Sequence, residues 1–590
     1  MNKQAIKRPL ITDETIAPLI NLFAMGLFAE LELLARDLVD SHPRHPLAWR
    51  LLLAALEQQN KITTITQPAS NQYSALAPSL VESCFHFALA QQQQGYMVGA
   101  IACYRLLLQT QPDAPDAWNN LSLCLRLDDR LDEAMACCRR ALGLRPDFAL
   151  AHNNLGLLLK DAARIDESAA AFRKAIDIDP SYTEARSNLA YLLSFYPGLD
   201  ASAIRTEVEA LFNDVVSNPI TLKRPPRSDE QRLRIGYVSP DFRDHCQSLF
   251  TIPLLEHHDR SRFEIACYAD LDVPDAHTER IKRCADIWRL TRGMDDAELA
   301  RRIAEDNIDI LVDLTMHMAG GRPRLFARRA APVQIAWLAY PGTTGIRAMD
   351  FRLTDPWLDP PEADDSVYTE RSLHLADTFW CYDPQLSDLE PSPLPAIENG
   401  FITFGSLNNF CKVSYASVIT WAAVMTRVPG SRLLLLAPNG QHRQQVLHWM
   451  AEAGIDAERI EFVGYQPRRE YLATYHRVDL CLDTLPYNGH TTSLDAFWMG
   501  VPVITQVGTT VAGRAGWSQL NNLSLPELAA FSTQAFIDKA VAIAMDVQHL
   551  QTLRTQLRPR LQASPLMNAE RFARTMETAL SSAWQTLETN

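Results

Sequence analysis

VDLCLDTLPYNGHTTSLDAFWMGVPVITQV, residues 478–507, sets a polar turn and a helix-like stretch between two apolar runs. VDLCLDTLPY and VPVITQV read as buried strands. Strands joined through a helix must run parallel, because only a crossover of that length returns the chain to the same end of a sheet. The turn, NGHTTSLD at 488–495, supplies a glycine, a histidine and two threonines and then enters a helix at once. Such residues are ordinary in turns. Hydroxyls and free backbone N–H groups at a helix start are also what an anion needs. Alone, the stretch leaves both readings open.

Outward from this segment the same alternation recurs. FITFGSLN, SRLLLLAP and RIEFVGY precede it, each followed by a helix-like segment. Further upstream, LRIGYVSPDF, FEIACYAD, IDILVDLTMHM and PVQIAWLAYPGTTG form a second set, with helical patterns such as DDAELARRIAEDN between them. Two doubly wound α/β lobes follow, at 232–385 and 397–560, with NAERFARTMETALSSAWQTLE inside a closing amphipathic helix region at 561–590. In such sheets the ligand sits at the carboxyl ends of the strands. The polar clusters that are odd for a core fall there: SPDFRDHCQS, TMHMAGGRPR, YPGTTG, SLNNFCK and NGHTTSLD.

The first third of the chain has a different period. Pro112, Pro146 and Pro180 are spaced by 34 residues, as are Asn120, Asn154 and Asn188, and Leu121, Leu155 and Leu189. Ala141 and Ala175 keep the interval, and so do Ala134 and Ser168. Pro78 and Pro43 extend the series to within one residue, and PLAW at 46–49 echoes PDAW at 115–118. This is the tetratricopeptide pattern of paired helices, with small residues at the crossings and proline after the second helix. About five units fill 15–216, and the proline-rich, charged 217–231 reads as a linker. Such arrays stack into a superhelix with a concave binding face. The asparagine column falls on the first helix of each repeat. Its amides either bond neighbouring loops or grip the backbone of an extended acceptor peptide.

Bulk properties exclude several classes. A formal charge of −14, from 56 basic and 70 acidic residues, gives no basic field for nucleic acid. Eleven dispersed cysteines without a C-x-x-C pair fit a reducing compartment. The N-terminal residues lack the apolar core of a signal peptide, and no apolar run approaches the ~18 residues of a membrane span. These features predict a cytoplasmic protein. No His/Cys cluster has zinc-ligand spacing.

Together and in this order, the repeats, RIGYVSPDFRDH, APVQIAWLAYPGTTG, LDTLPYNGHTTSLDAFWMGVPVIT and SPLMNAERF resemble the O-linked N-acetylglucosamine transferases of glycosyltransferase family 41, bacterial and SPINDLY-type members included. The resemblance covers nearly the whole chain. It implies an α plus α/β protein, a repeat superhelix followed by a two-lobed GT-B transferase. It also implies metal-independent, inverting transfer of a sugar from a nucleotide donor to Ser or Thr of proteins, with no cofactor.

Residue by residue, the resemblance assigns His490, Thr491 and Thr492 to the donor's diphosphate, where helix capping is the plainer alternative. Asp495 matches the ribose-binding carboxylate. Lys412 matches the phosphate-contacting lysine, a cation in the place of a metal, and Asn409 stands where mammalian members carry Gln. Arg468 and Tyr471 occupy the base-recognition positions, where mammalian enzymes have Lys and a stacking His. His245 aligns with the cleft histidine nearest the acceptor, a candidate general base whose rival is the donor's α-phosphate. His317 matches a second cleft histidine of bacterial relatives. His257 and His258 are expected to face solvent.

The expected function is transfer of N-acetylglucosamine from UDP-N-acetylglucosamine, with Asn120, Asn154 and Asn188 guiding protein acceptors. Expected partners are those acceptors and the nucleotide sugar, with neither nucleic acid nor membrane. Two alternatives stand beside it: a SPINDLY-like fucose transferase using GDP-fucose, and a repeat scaffold whose transferase half has decayed.

Overall fold

A computed structural model of the chain describes residues 97–215 and 231–588 without a break, together with Phe28–Ser41, Ile220 and scattered positions before Met97. Residues 1–158 and 159–590 form two compact units. The prolines at 43 and 78, PLAW, and all of the expected linker except Ile220 and Gln231 lie outside the described residues.

The 34-residue period is structural. Helices Met97–Thr110, Leu131–Leu144 and Ile165–Ile178 each stop two residues before Pro112, Pro146 and Pro180. Proline cannot donate the next helical bond and forces its predecessor out of helical geometry. In the first unit, Pro115–Leu127 packs on Leu131–Leu144. Ala134 and Ala141 are wholly buried and Ala117 nearly so, which is why the column of small residues is needed. The second unit begins with the last part of the array: Ile165–Ile178, Thr183–Leu192, the short turn Leu193–Phe195 and Ala201–Phe212.

Two parallel sheets follow. The first contains β1 (Leu233–Ser239), β2 (Phe263–Ala269), β3 (Ile287–Leu290), β4 (Ile310–Asp313), β5 (Val333–Ala336), β6 (Phe351–Thr354) and β7 (Arg371–His374). The second contains β8 (Thr403–Ser406), β9 (Arg432–Leu436), β10 (Ile460–Val463), β11 (Leu480–Leu482), β12 (Val503–Gln506) and β13 (Ala529–Ala530). Their orders are β3-β2-β1-β4-β5-β6-β7 and β10-β9-β8-β11-β12-β13. Strand order therefore reverses between β1 and β4 in one lobe and between β8 and β11 in the other. Those two points open the crevices where ligands bind in such sheets.

The expected boundary at 560/561 cuts a continuous helix, Val547–Ala563. The helix after it, Ala569–Glu588, packs on Ser248–His257 of the first lobe. Glu577 fixes this return: its Oε1 accepts from Asp259 N at 2.7 Å and bonds His258 Nδ1 at 3.0 Å, while Tyr237 Oη meets His258 Nε2 at 2.9 Å. His258 is therefore buried, contrary to expectation, and His257 is exposed. One apolar cluster runs through both lobes. A second joins Leu193, Phe195, Val208 and Phe212 of the array to Met316, Tyr340 and Tyr487 of the lobes.

Candidate active site

At the β8/β11 reversal, the loops after both strands lie side by side, and a buried carboxylate holds them. Asp483 Oδ1 accepts from Asn408 Nδ2 at 3.1 Å, Thr484 N at 2.8 Å and Gly489 N at 2.7 Å, and Oδ2 accepts from Thr505 Oγ1 at 2.7 Å. Burial pushes the Asp483 carboxyl up, against these bonds and the nearby Lys412. Thr492 Oγ1 donates to Asn408 Oδ1. A methyl on Gly489 would fall 2.4 Å from Ser493 Oγ, 2.8 Å from Thr492 Oγ1 and 2.9 Å from Asn408 Oδ1. The glycine of the quoted stretch is there because the turn and the helix touch.

That helix, Thr491–Trp498, starts without a side-chain cap at His490. Capping by threonine is thus not what the residues do, and the first-turn N–H groups remain available to an anion. The His490 ring packs 4.8 Å from that of Tyr487 and 5.6 Å from that of Trp380. Burial and the Lys412 charge hold its pKa well below the usual imidazole value, so the ring is neutral. Gln519 Nε2 donates to the His490 carbonyl at 3.0 Å.

Lys412 ends the turn Phe410–Lys412, which Asn409 caps by accepting from Cys411 N at 3.3 Å. Asn409 itself is exposed. The Lys412 ammonium donates to Asn488 O at 2.8 Å and lies 4.1 Å from the centroid of the Tyr487 ring. Among the described residues no carboxylate comes within ion-pair distance of it. Burial lowers its pKa to about 8. A half-buried cation with neutral partners is placed to receive an anion.

Asp495, one turn into the helix, is almost fully buried and already engaged. Tyr382 Oη donates to Oδ1 at 2.6 Å, and Arg468 reaches Oδ1 at 2.8 Å and Oδ2 at 3.2 Å. Arg468 is therefore the counterion of the expected ribose carboxylate, a correction to its place as an independent base contact. Its Nε is buried with no partner among the described residues. Tyr471 Oη bonds Tyr475 Oη at 2.9 Å, and Tyr475 Oη donates to Thr492 O at 2.9 Å. The phenol that was expected to stack on a base thus braces the helix Thr491–Trp498.

In the first lobe, His245 follows β1 at the other reversal point, and 28 % of its side chain is exposed, enough for a ligand to reach it. Its Nδ1 accepts from Gln247 N at 3.3 Å and lies 3.6 Å from Asp241 Oδ2. Burial lowers its pKa against the pull of Asp241, so it stays neutral near pH 7 and can take a proton. Phe250, in the helix just after His245, packs 6.0 Å from the Tyr382 ring, and Tyr382 bonds Asp495, so the first lobe's loop lies near the second lobe's site.

His317 is not a cleft residue. It is buried, its Nε2 2.7 Å from Thr344 O, its Nδ1 3.3 Å from Ser187 Oγ, and its ring stacked on Phe212 at 4.6 Å. It joins the last repeat to the first lobe, and both ring nitrogens are occupied. Burial lowers its pKa to about 4 from an ordinary 6.5. As pH falls, the unfolded chain takes this proton first. The stability His317 contributes is complete above 6.5 and is lost between 6.5 and 4, about 3 kcal/mol. Asp313, raised to about 6 by burial, works in the opposite direction. His317→Gln should therefore lose less melting temperature than the wild type between pH 7 and 4.5. Parallel calorimetric scans check this, and equal acid slopes would contradict it.

The asparagine column is also corrected in part. Asn154 is buried, its Nδ2 donating to Asn119 Oδ1 at 2.8 Å, and Asn120 Nδ2 donates to Tyr104 Oη at 3.2 Å. Within the first unit each of these amides bonds to a neighbouring helix of the array. Asn188, half-buried, belongs to the second unit. Reading the sequence missed Asn408, Asp483, Tyr487 and Tyr382. The first three sit at strand ends and look like core or turn residues, and Tyr382 reaches Asp495 from another lobe.

Two doubly wound lobes, one carrying at its reversal point a lysine without a carboxylate partner among the described residues beside an uncapped helix start, fit a two-lobed glycosyltransferase. Sequence comparison agrees: the model described as Glycosyl transferase family 41 matches residues 212–387 and 394–576. The chain belongs to that family. Tetratricopeptide models match 87–147 and 149–182. A relative from Oryza sativa subsp. japonica, described as a probable UDP-N-acetylglucosamine-peptide N-acetylglucosaminyltransferase SPINDLY, is 36 % identical over 368 residues, 61 % of this chain and 40 % of that protein. The Caenorhabditis elegans UDP-N-acetylglucosamine-peptide N-acetylglucosaminyltransferase is 26 % identical over 475 residues, 61 % of this chain and 41 % of its own length. The chain thus spans about two fifths of the curated relatives it matches. A solved lysine-to-methionine mutant of the Thermobaculum terrenum O-GlcNAc transferase superposes with a TM-score of 0.80 at 33 % identity, covering 86 % of this chain and 97 % of that one.

Proposed function

We propose that the chain transfers N-acetylglucosamine from UDP-N-acetylglucosamine to Ser or Thr hydroxyls of proteins, with inversion and without a metal. The observation that carries this reading is Lys412, a half-buried ammonium with neutral partners, beside the uncapped start of Thr491–Trp498. Both groups meet the charge that grows on a departing nucleoside diphosphate. The relatives described as UDP-N-acetylglucosamine-peptide N-acetylglucosaminyltransferases support the donor. His245, neutral and partly open, takes the acceptor's proton or orients its hydroxyl. The repeats present protein acceptors to the cleft.

A thermal-shift panel tests this. At a hundredfold excess over Kd a ligand selective for the folded chain adds about 2.7 kcal/mol. UDP should raise the melting temperature and GDP should not, and EDTA should change neither that shift nor the transfer rate. Stabilisation by GDP instead would support the fucose-transferring alternative, and no shift with either would support a decayed scaffold. A strict Mg²⁺ or Mn²⁺ requirement would overturn the charge assignment to Lys412. Among the described residues no helix is long and apolar enough to cross a membrane.

A further inference from the structure

Tyr487 stands immediately before Asn488–Gly489–His490 and is buried. Its ring touches both groups assigned to the diphosphate, Lys412 Nζ at 4.1 Å and the His490 ring at 4.8 Å. Other neighbours of the ring come from the repeat array. Phe195 stacks on it, centroids 4.9 Å apart and planes 14° apart, and Tyr191 meets it edge-on at 6.3 Å. Tyr191 is itself held by Phe195 at 5.1 Å and by Tyr340, from the loop after β5, at 5.3 Å.

We propose that Tyr487 is a positioning residue for the donor diphosphate, and that Phe195 and Tyr191 of the last repeat make the end of the array part of the donor site. The proposal rests on the transferase reading above. A lysine head on a flexible four-carbon stem is set by what it touches. Here one contact is a backbone carbonyl and the other is this ring, whose π-face attracts the cation most strongly where water is excluded. Phe195 is apolar, and the ring contact that links it to Lys412 is the stacked Tyr487 ring. The last repeat thus does more than guide acceptors: it supports the wall against which the phosphate cation rests.

The test is calorimetric binding of UDP to the full chain and to Phe195→Leu, Tyr487→Leu, Tyr487→Phe, Lys412→Ala and the double variants. Phe195→Leu and Tyr487→Leu should each weaken UDP about 10-fold, whereas Tyr487→Phe, which keeps the ring, should stay within about twofold of the wild type. In the Lys412→Ala background the Phe195→Leu and Tyr487→Leu losses should largely disappear, because residues that act through one group are not additive. Full additivity would assign the aromatic stack to the fold alone and overturn the proposal. So would a Tyr487→Phe as weak as Tyr487→Leu. If Tyr487→Leu does not fold, Phe195→Leu, which keeps an apolar side chain, carries the cycle. A wild type that binds neither UDP nor GDP would overturn the donor-site reading and this proposal together. Normal wild-type binding with additive variants would overturn this proposal alone.

Discussion

Lys412→Ala should lower turnover by about 2–4 kcal/mol of transition-state stabilisation, the loss expected on removing one preorganised charge at a developing anion. The fold should not suffer with it. Burial pushes the Lys412 pKa down to about 8, so the protein holds this charge against its preference for water, and a neutral side chain removes that cost. Turnover and a melting curve on the same preparation test both halves. A folded variant with near-normal transfer would remove Lys412 from the chemistry. The lowered pKa also fixes a pH dependence. Above about pH 8 the free enzyme loses its ammonium, so kcat/KM should fall on the alkaline side through one ionisation, absent in Lys412→Ala.

Glu577→Ala should have the largest effect on stability, about 3–5 kcal/mol, the usual consequence of removing one member of a buried charged network. Glu577 is fully buried and accepts from Asp259 N, bonds His258 and lies 3.1 Å from Arg574 Nη1. Alanine leaves the Asp259 N–H and the imidazole without an acceptor in the interior. It also loosens the helix Ala569–Glu588 from the first lobe, where no other element supplies that carboxylate. Urea unfolding measures the loss. Glu577→Gln keeps an acceptor oxygen at Oε1 and should lose clearly less, and equal losses in the two variants would deny the hydrogen-bond account.

The lobes were readable because each central strand is an apolar run followed by a polar loop. The strands that escaped are those without such runs. β3 (IWRL) and β7 (RSLH) are edge strands with half-exposed residues, and β13 is two alanines. β6 (FRLT) hides an arginine in its middle. Arg352 is buried because Asp359 pairs with it at 2.9 Å and Tyr368 lies under its guanidinium at 3.8 Å. No local pattern announces such compensation. The site was readable as loops and less so as contacts. Motif position brought Lys412, His490, Thr491, Thr492 and Asp495 to one switch point. Which way a side chain turns depends on partners far along the chain. Arg468 turns to Asp495, and His317 turns to Ser187 and Thr344 O.

The tie between Asp495, Arg468 and Tyr382 changes the meaning of affinity at this site. The carboxylate already hosts a guanidinium and a phenol, so on the proposed reading a ribose hydroxyl that approaches it competes with internal partners instead of meeting a bare charge. Measured affinity would then include the work of loosening those partners. Weakening the resident, as in Arg468→Lys, would alter nucleotide binding without touching any atom of the phosphate contacts.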